Sequence, residues 1–270
     1  MLLGGLVALG VVAGCTGDPE GDGVRPERFR YGDDPSQWAD LYRPDGDPRG
    51  VVVVVHGGFW KAAYEADLGA PLAADLAERG WAAWNLEYRR VGNGGGNPAT
   101  LDDVAAGIDR LADVPDLDLT TVVTLGHSAG GHLAVWAAGR ARTQRWSEVR
   151  VPVTAAVSQA GVLDLAAAAR EHLGSDAVAG MLGEPWVDVA DRERTDVDPL
   201  SQVPLDVPVW CVHGKGDDMV PISQSHTYVD AARAAGAEAD LVAVDGDHFV
   251  VLDVSSDAWT RTLEVLDRLA

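Results

Sequence analysis

Three short stretches of the chain carry residue types that can act together on a carbonyl group. In Gly126-His127-Ser128-Ala129-Gly130 a serine has glycines two positions to either side, directly after the apolar run Thr121 to Leu125 and just ahead of a helical pattern opening near Gly130. A serine on so sharp a strand-to-helix turn crowds its neighbours, which is why the flanking positions need glycine, and its hydroxyl is pushed outward. The alternative role is a serine that only caps the helix. As a nucleophile, Ser128 needs a base of near-neutral pKa to take its proton, and histidine is the residue type that supplies one. Two further stretches offer partners: His213-Gly214-Lys215-Gly216-Asp217-Asp218, which follows the apolar run Val207 to Val212, and Asp245-Gly246-Asp247-His248-Phe249. A buried carboxylate accepting the base's other N–H would fix its tautomer.

Attack on a carbonyl creates an oxyanion, which two backbone N–H donors can hold if they aim at one point. Ala129, next to the serine, is one candidate. His56-Gly57-Gly58-Phe59-Trp60 is a second source, because its glycines let the backbone turn N–H groups inward, and Gly58 and Phe59 are the candidates there. Trp60 has two open readings, a wall of the substrate pocket or a plain core residue.

These segments need a scaffold, and the hydropathy pattern supplies one. Val51 to Val55 is five consecutive β-branched residues, as in a strand buried on both faces. Strand-like runs at residues 37–43, 81–86, 121–125, 153–158, 207–212 and 239–244 alternate with helical patterns at residues 68–79, 98–112, 130–142, 223–235 and 256–269. Such alternation implies an α/β fold with a mostly parallel central sheet and helices on both faces. Between Leu165 and Val203 it breaks into alanine-rich and charged pieces, expected to form a small cap excursion over the active-site rim.

The GHSAGGHLA, HGGFW, HGKGDDMVP and DGDHF segments resemble the α/β-hydrolase superfamily. HGGFW, Glu87-Tyr88-Arg89 and the Pro98 to Val104 segment are similar to the branch holding small carboxylesterases, feruloyl-esterase-like and kynurenine formamidase-like enzymes. The resemblance implies the chain order serine, acid, histidine, which favours His248 over His213 and His226 as base and Asp217, with Asp218 as near rival, as acid. It implies a Ser128, Asp217, His248 triad, an oxyanion hole of Ala129 with Gly58 or Phe59, and no cofactor. Tyr88-Arg89 and Asp102-Asp103 are then expected to be scaffold links.

Composition narrows the partners. The 270 residues include 21 basic and 42 acidic ones, a formal charge of −21, which disfavours nucleic acid and gives a self-repelling surface. No His and carboxylate cluster has a recognised metal-ligand spacing, so no metal is expected. The two cysteines, Cys15 and Cys211, imply no disulfide framework. Met1 to Gly14 is apolar, about as long as a signal-peptide core, and Val12-Ala13-Gly14-Cys15 resembles a bacterial lipobox, although no Lys or Arg precedes it. Residues 1–25 are expected to be a lipoprotein signal and tether, with Cys15 lipidated outside the cytoplasm, and residues 26–270 the hydrolase domain. The alternative is a cytoplasmic protein.

Small-molecule ester cleavage is the leading expectation. Arylformamidase or peptidase activity is the alternative within the same chemistry, and a noncatalytic surface-anchored binding protein is the alternative from another class. Acyl size and oligomeric state are not encoded in the pattern.

Overall fold

The structure, a computed structural model, describes residues 25–269. The expected lipobox and Cys15 lie outside the described residues. Eight strands form one sheet: β1 Glu27–Arg30, β2 Trp38–Tyr42, β3 Val51–Val55, β4 Ala82–Leu86, β5 Val122–His127, β6 Ala155–Gln159, β7 Val209–Gly214 and β8 Ala239–Val244, in the order β1-β2-β4-β3-β5-β6-β7-β8. The first two are antiparallel to their neighbours and the pairs from β4-β3 to β7-β8 are parallel. β1 was not anticipated: Glu27-Arg28-Phe29-Arg30 has no apolar alternation, and it pairs with β2 at the sheet edge, where Arg28 forms a two-pronged ion pair with Asp40.

β3 shows why the valine run reads as a central strand. Val51, Val53 and Val55 pack on one face against α2 (Ala99–Asp109) and α3 (Ala129–Gly139), through Leu101, Val104, Leu133 and Trp136. Val52 and Val54 pack on the other against α1 (Ala70–Glu78) and α8 (Asp257–Leu269), through Leu72, Leu76, Trp259 and Leu266. The side-chain period of two thus feeds two apolar layers at once, and polar alternation has no place. The excursion after β6 is built of α4 (Leu165–Arg170), α5 (Leu173–Leu182) and α6 (Asp191–Val197), and the chain returns to the sheet through β7, α7 (Ser223–Ala234) and β8. The six parallel strands, β3 to β8, point their carboxyl ends to one edge of the sheet, and such ends are where open α/β sheets gather ligands.

The acidic pair before α2 divides its work. Asp103 is buried and accepts Arg89 N–H, Arg89 Nε at 2.8 Å, Arg89 Nη2 at 2.7 Å and Gln37 Nε2 at 2.7 Å. Asp102 instead takes Arg145 and the Trp146 indole N–H near the surface. Arg89 and Asp103 are therefore each other's partners, tying the exit of β4 to α2. Replacing the buried carboxylate leaves a guanidinium without its counter-charge. Asp103→Asn is expected to lower unfolding free energy by about 2–3 kcal/mol, read by urea denaturation, with kcat/KM of the folded fraction unchanged.

Candidate active site

Ser128 sits between β5 and α3 with φ 56° and ψ −120°, angles that L-residues avoid. Close packing enforces the turn. A Cβ on Gly126 would lie 2.0 Å from the Gly130 carbonyl oxygen, and one on Gly130 would lie 2.0 Å from the Val55 carbonyl oxygen. Both glycines of the motif are thus sites of backbone-on-backbone contact. The Ser128 N–H donates to the Gln159 carbonyl on β6 at 2.8 Å, which anchors the turn from the other side.

His248 stands beside the serine, and both line one cavity. Its Nδ1–H donates to Asp217 Oδ2 at 2.7 Å, with the two side chains 3% and 0% exposed. Asp217 Oδ1 accepts the N–H groups of Met219 at 2.9 Å and Val220 at 2.8 Å, and Oδ2 also lies 3.2 Å from His213 Nε2. Burial alone would raise this carboxyl's pKa. Hydrogen bonds from His213, His248 and the Val220 N–H outweigh it and hold Asp217 ionised well below the usual carboxylate range. Its rival Asp218 is exposed. His213 is fully buried, bonded to Ser225 Oγ and the Val220 carbonyl, and His226 is exposed on α7. Asp247 caps the turn after it through the Phe249 and Val250 N–H groups.

His127 has a part that the motif alone did not reveal. It is buried against the His248 ring, centroids 4.5 Å apart, and its Nε2–H donates to the His248 carbonyl at 2.9 Å. The serine turn therefore holds the backbone of the histidine loop directly. Burial, with the nearby His248, lowers the His127 pKa to about 3, so it stays neutral and a donor.

The candidate oxyanion donors are aimed through their own peptide planes, in which N–H and C=O point opposite ways. The Gly57 carbonyl accepts His56 Nδ1–H at 2.8 Å, so the N–H of the same unit, on Gly58, points away from His56. The Gly58 carbonyl accepts Lys61 N–H at 3.0 Å, which fixes the Phe59 N–H in the same way. The Ser128 carbonyl accepts His132 N–H within α3, so the Ala129 N–H projects from the helix start, where no intrahelical acceptor exists. Gly58 has φ 111°, and a Cβ there would meet the Tyr64 side chain at 2.4 Å.

Trp60 does not line the cavity. Phe59 and Trp60 both have left-handed φ, 53° and 55°, and this double turn leaves Phe59 at the cavity and Trp60 in the core, 1% exposed and edge-on to His132 at 5.2 Å. The walls are Phe59, Tyr64, Leu68, Met219, Phe249 and Leu252, around about 90 Å³. Of these Phe249 and Met219 adjoin the histidine and acid motifs, whereas nothing in the spacing marks Tyr64 or Leu68.

Comparison with known proteins gives the family and the fold. The BD-FAE family pattern matches residues 39–231, a span that contains Ser128 and Asp217 and ends before His248. The chain belongs to the BD-FAE family. Similar curated proteins are esterase LipC of Mycobacterium tuberculosis, 27% identical over 78% of this chain and 56% of its own length, and isoprenylcysteine alpha-carbonyl methylesterase ICME of Arabidopsis thaliana, 29% identical over 80% and 54%. The chain thus spans about half the length of these relatives. Among solved structures, esterase B of Lactobacillus rhamnosis superposes with a TM-score of 0.78 at 23% identity, covering 92% of this chain and 85% of that one. The fold of this BD-FAE member is that of the α/β-hydrolases.

Two buried imidazoles make the site's frame acid-sensitive. Burial lowers His127 to about 3 and His132, bonded to the Val197 carbonyl, to about 4. The unfolded chain protonates both near pH 6.5, while the folded chain refuses those protons until far lower pH. Folding stability is therefore expected to be flat above pH 7 and to fall as pH drops from about 6.5 towards 4.5, with a slope approaching two protons. Thermal unfolding across that window measures it, and His132→Phe should remove about one proton from the slope.

Proposed function

We propose that this protein is a carboxylic ester hydrolase working through an acyl-enzyme on Ser128. The observation that carries the reading is the buried Asp217–His248 pair set beside a serine in a strained turn, with three backbone N–H groups aimed by their peptide planes. In this mechanism His248 takes the Ser128 proton through Nε2 as Oγ adds to the ester carbonyl. Asp217, already ionised, stabilises the imidazolium that forms. Ala129 N–H with Gly58 or Phe59 N–H receives the oxyanion, the alcohol leaves with the proton from His248, and water repeats the sequence to release the acid.

The small cavity of about 90 Å³ with apolar walls favours a short acyl group. Purified protein is expected to hydrolyse p-nitrophenyl acetate and butyrate well ahead of octanoate, and N-formylkynurenine poorly. Ser128→Ala should remove turnover and labelling by a fluorophosphonate, and Asp217→Asn should lower kcat by about 10⁴-fold with KM little changed. Equal inertness of wild type and Ser128→Ala, with no labelling of Ser128, would overturn the assignment in favour of a binding protein.

The lipobox-like Val12-Ala13-Gly14-Cys15 supports a location outside the cytoplasm, with lipid carried on Cys15. Expression in a bacterial host with labelled palmitate should give a labelled, membrane-fractionating product, and Cys15→Ser should lose both properties. A wild-type chain that stays unlabelled and out of the membrane fraction would overturn lipid anchoring at Cys15.

A further inference from the structure

The loop between β3 and α1 carries two of the three candidate oxyanion donors, Gly58 and Phe59, and the cavity walls Tyr64 and Leu68. What holds it is a buried ion pair immediately after β4. Glu87 and Arg90 have side chains that are each 2% exposed, with Arg90 Nη2 3.1 Å from Glu87 Oε1. The side-chain polar contacts of this pair that leave its own segment go to that loop. Glu87 Oε2 accepts the Ala66 N–H at 2.9 Å, Oε1 lies 3.4 Å from His56 Nε2, and Arg90 Nη1 donates to the Tyr64 carbonyl. Glu87 Oε1 also accepts the Tyr88 N–H at 2.7 Å, which fixes the residue whose ring stacks on His56, centroids 4.4 Å apart, and whose hydroxyl donates to the His56 carbonyl at 2.7 Å. The next residue, Val91, exchanges backbone hydrogen bonds with Trp60 and Ala62.

The loop is thus gripped at both ends and in the middle. His56 is the residue that turns the Gly57 carbonyl, and through it the Gly58 N–H. A buried ion pair is weak evidence for stability, because desolvation offsets most of the attraction and apolar replacements of similar volume are often neutral or stabilising. Its contribution here lies in geometry: the carboxylate and the planar guanidinium offer several directed hydrogen bonds from one fixed place, which an apolar cluster cannot do.

We propose that Glu87 and Arg90 are positioning residues for the oxyanion hole, setting the direction of the Gly58 and Phe59 N–H groups without touching substrate. This rests on the ester-hydrolase reading. A misdirected donor weakens binding of the tetrahedral oxygen and leaves the ground-state ester almost untouched, so the pair acts on kcat and not on KM.

The test is the double variant Glu87→Leu/Arg90→Met, which removes both charges at once and leaves neither unpaired. Its melting temperature is expected to fall, because the Ala66 and Tyr88 N–H groups and the Tyr64 carbonyl lose their partners, so kinetics are read at a temperature where the variant is folded. With p-nitrophenyl acetate, kcat should fall about ten- to hundredfold and KM stay within about twofold. The inhibition constant of an aryl trifluoromethyl ketone, whose adduct with Ser128 places an oxyanion in the hole, should rise by the same factor by which kcat/KM falls. Arg90→Lys keeps the charge but replaces the planar two-nitrogen fork that reaches Glu87 and Tyr64 with a single nitrogen, so it should show a smaller loss with the same proportionality. A folded double variant with wild-type kcat, or a loss of kcat without weaker ketone binding, would overturn the proposal. Failure of both variants to fold would overturn it too, by making the pair a requirement of the fold. Inactive wild type would instead sink the ester-hydrolase reading, which separates the two failures.

Discussion

The contact between the backbones of Gly130 and Val55 is the constraint on which the rest of the site depends. It brings the first turn of α3 against the end of β3, with no side chain between. That approach forces Ser128 into its left-handed turn and places the Ala129 N–H at a helix start. It also sets the donor of α3 next to the loop that follows β3, so the two halves of the candidate oxyanion hole are neighbours because two strands are neighbours. The strain at Ser128, about 1–3 kcal/mol for such angles, is sustained because the sheet on one side and Gln159 on the other leave the turn no alternative.

From that turn the hydrogen bonds run outward in one connected set. His127 holds the His248 loop through its carbonyl, Asp217 holds the His248 ring, and His213 with the Val220 N–H holds Asp217. Each imidazole has a distinct task fixed by its surroundings. Buried among apolar groups and other histidines, His127 remains neutral and serves as a donor, whereas His248 faces an ionised carboxylate and an open cavity. Neutral donors below and one charge behind give His248 a defined tautomer, which is what proton transfer from a serine demands.

Much of this was legible in the chain because it depends on local pattern. Five β-branched residues in a row mark β3, glycines at fixed offsets mark the serine turn, and the acid and histidine stretches each follow a strand. The reading fails where a side chain's role depends on partners distant in sequence. Trp60 reads equally well as pocket or core, and two successive left-handed residues, invisible to hydropathy, decide it. β1 is charged and gains its strand form only by pairing with β2. Arg89 and Asp103 look like parts of two motifs and prove to be one ion pair, while Glu87 and Arg90, on either side of Tyr88-Arg89, pair with each other and reach the loop after β3. The cavity walls Tyr64 and Leu68 come from a loop whose path is set by contacts far along the chain.

The charge distribution bears on how such a site could hold an oxyanion at all. The chain carries a formal charge of −21, and among the described residues those lining the cavity include neither Lys nor Arg. Developing negative charge there would meet a repulsive background field. Backbone N–H dipoles work in that setting because they act at hydrogen-bond range, where direction decides, while exposed surface charges more than about 8 Å away are largely screened at physiological salt. The apolar walls strengthen those short-range dipoles by excluding water and lowering the local dielectric. A site of this kind tolerates an acidic surface only while its donors remain well aimed, which is the part proposed above for the directed hydrogen bonds of the buried Glu87–Arg90 pair.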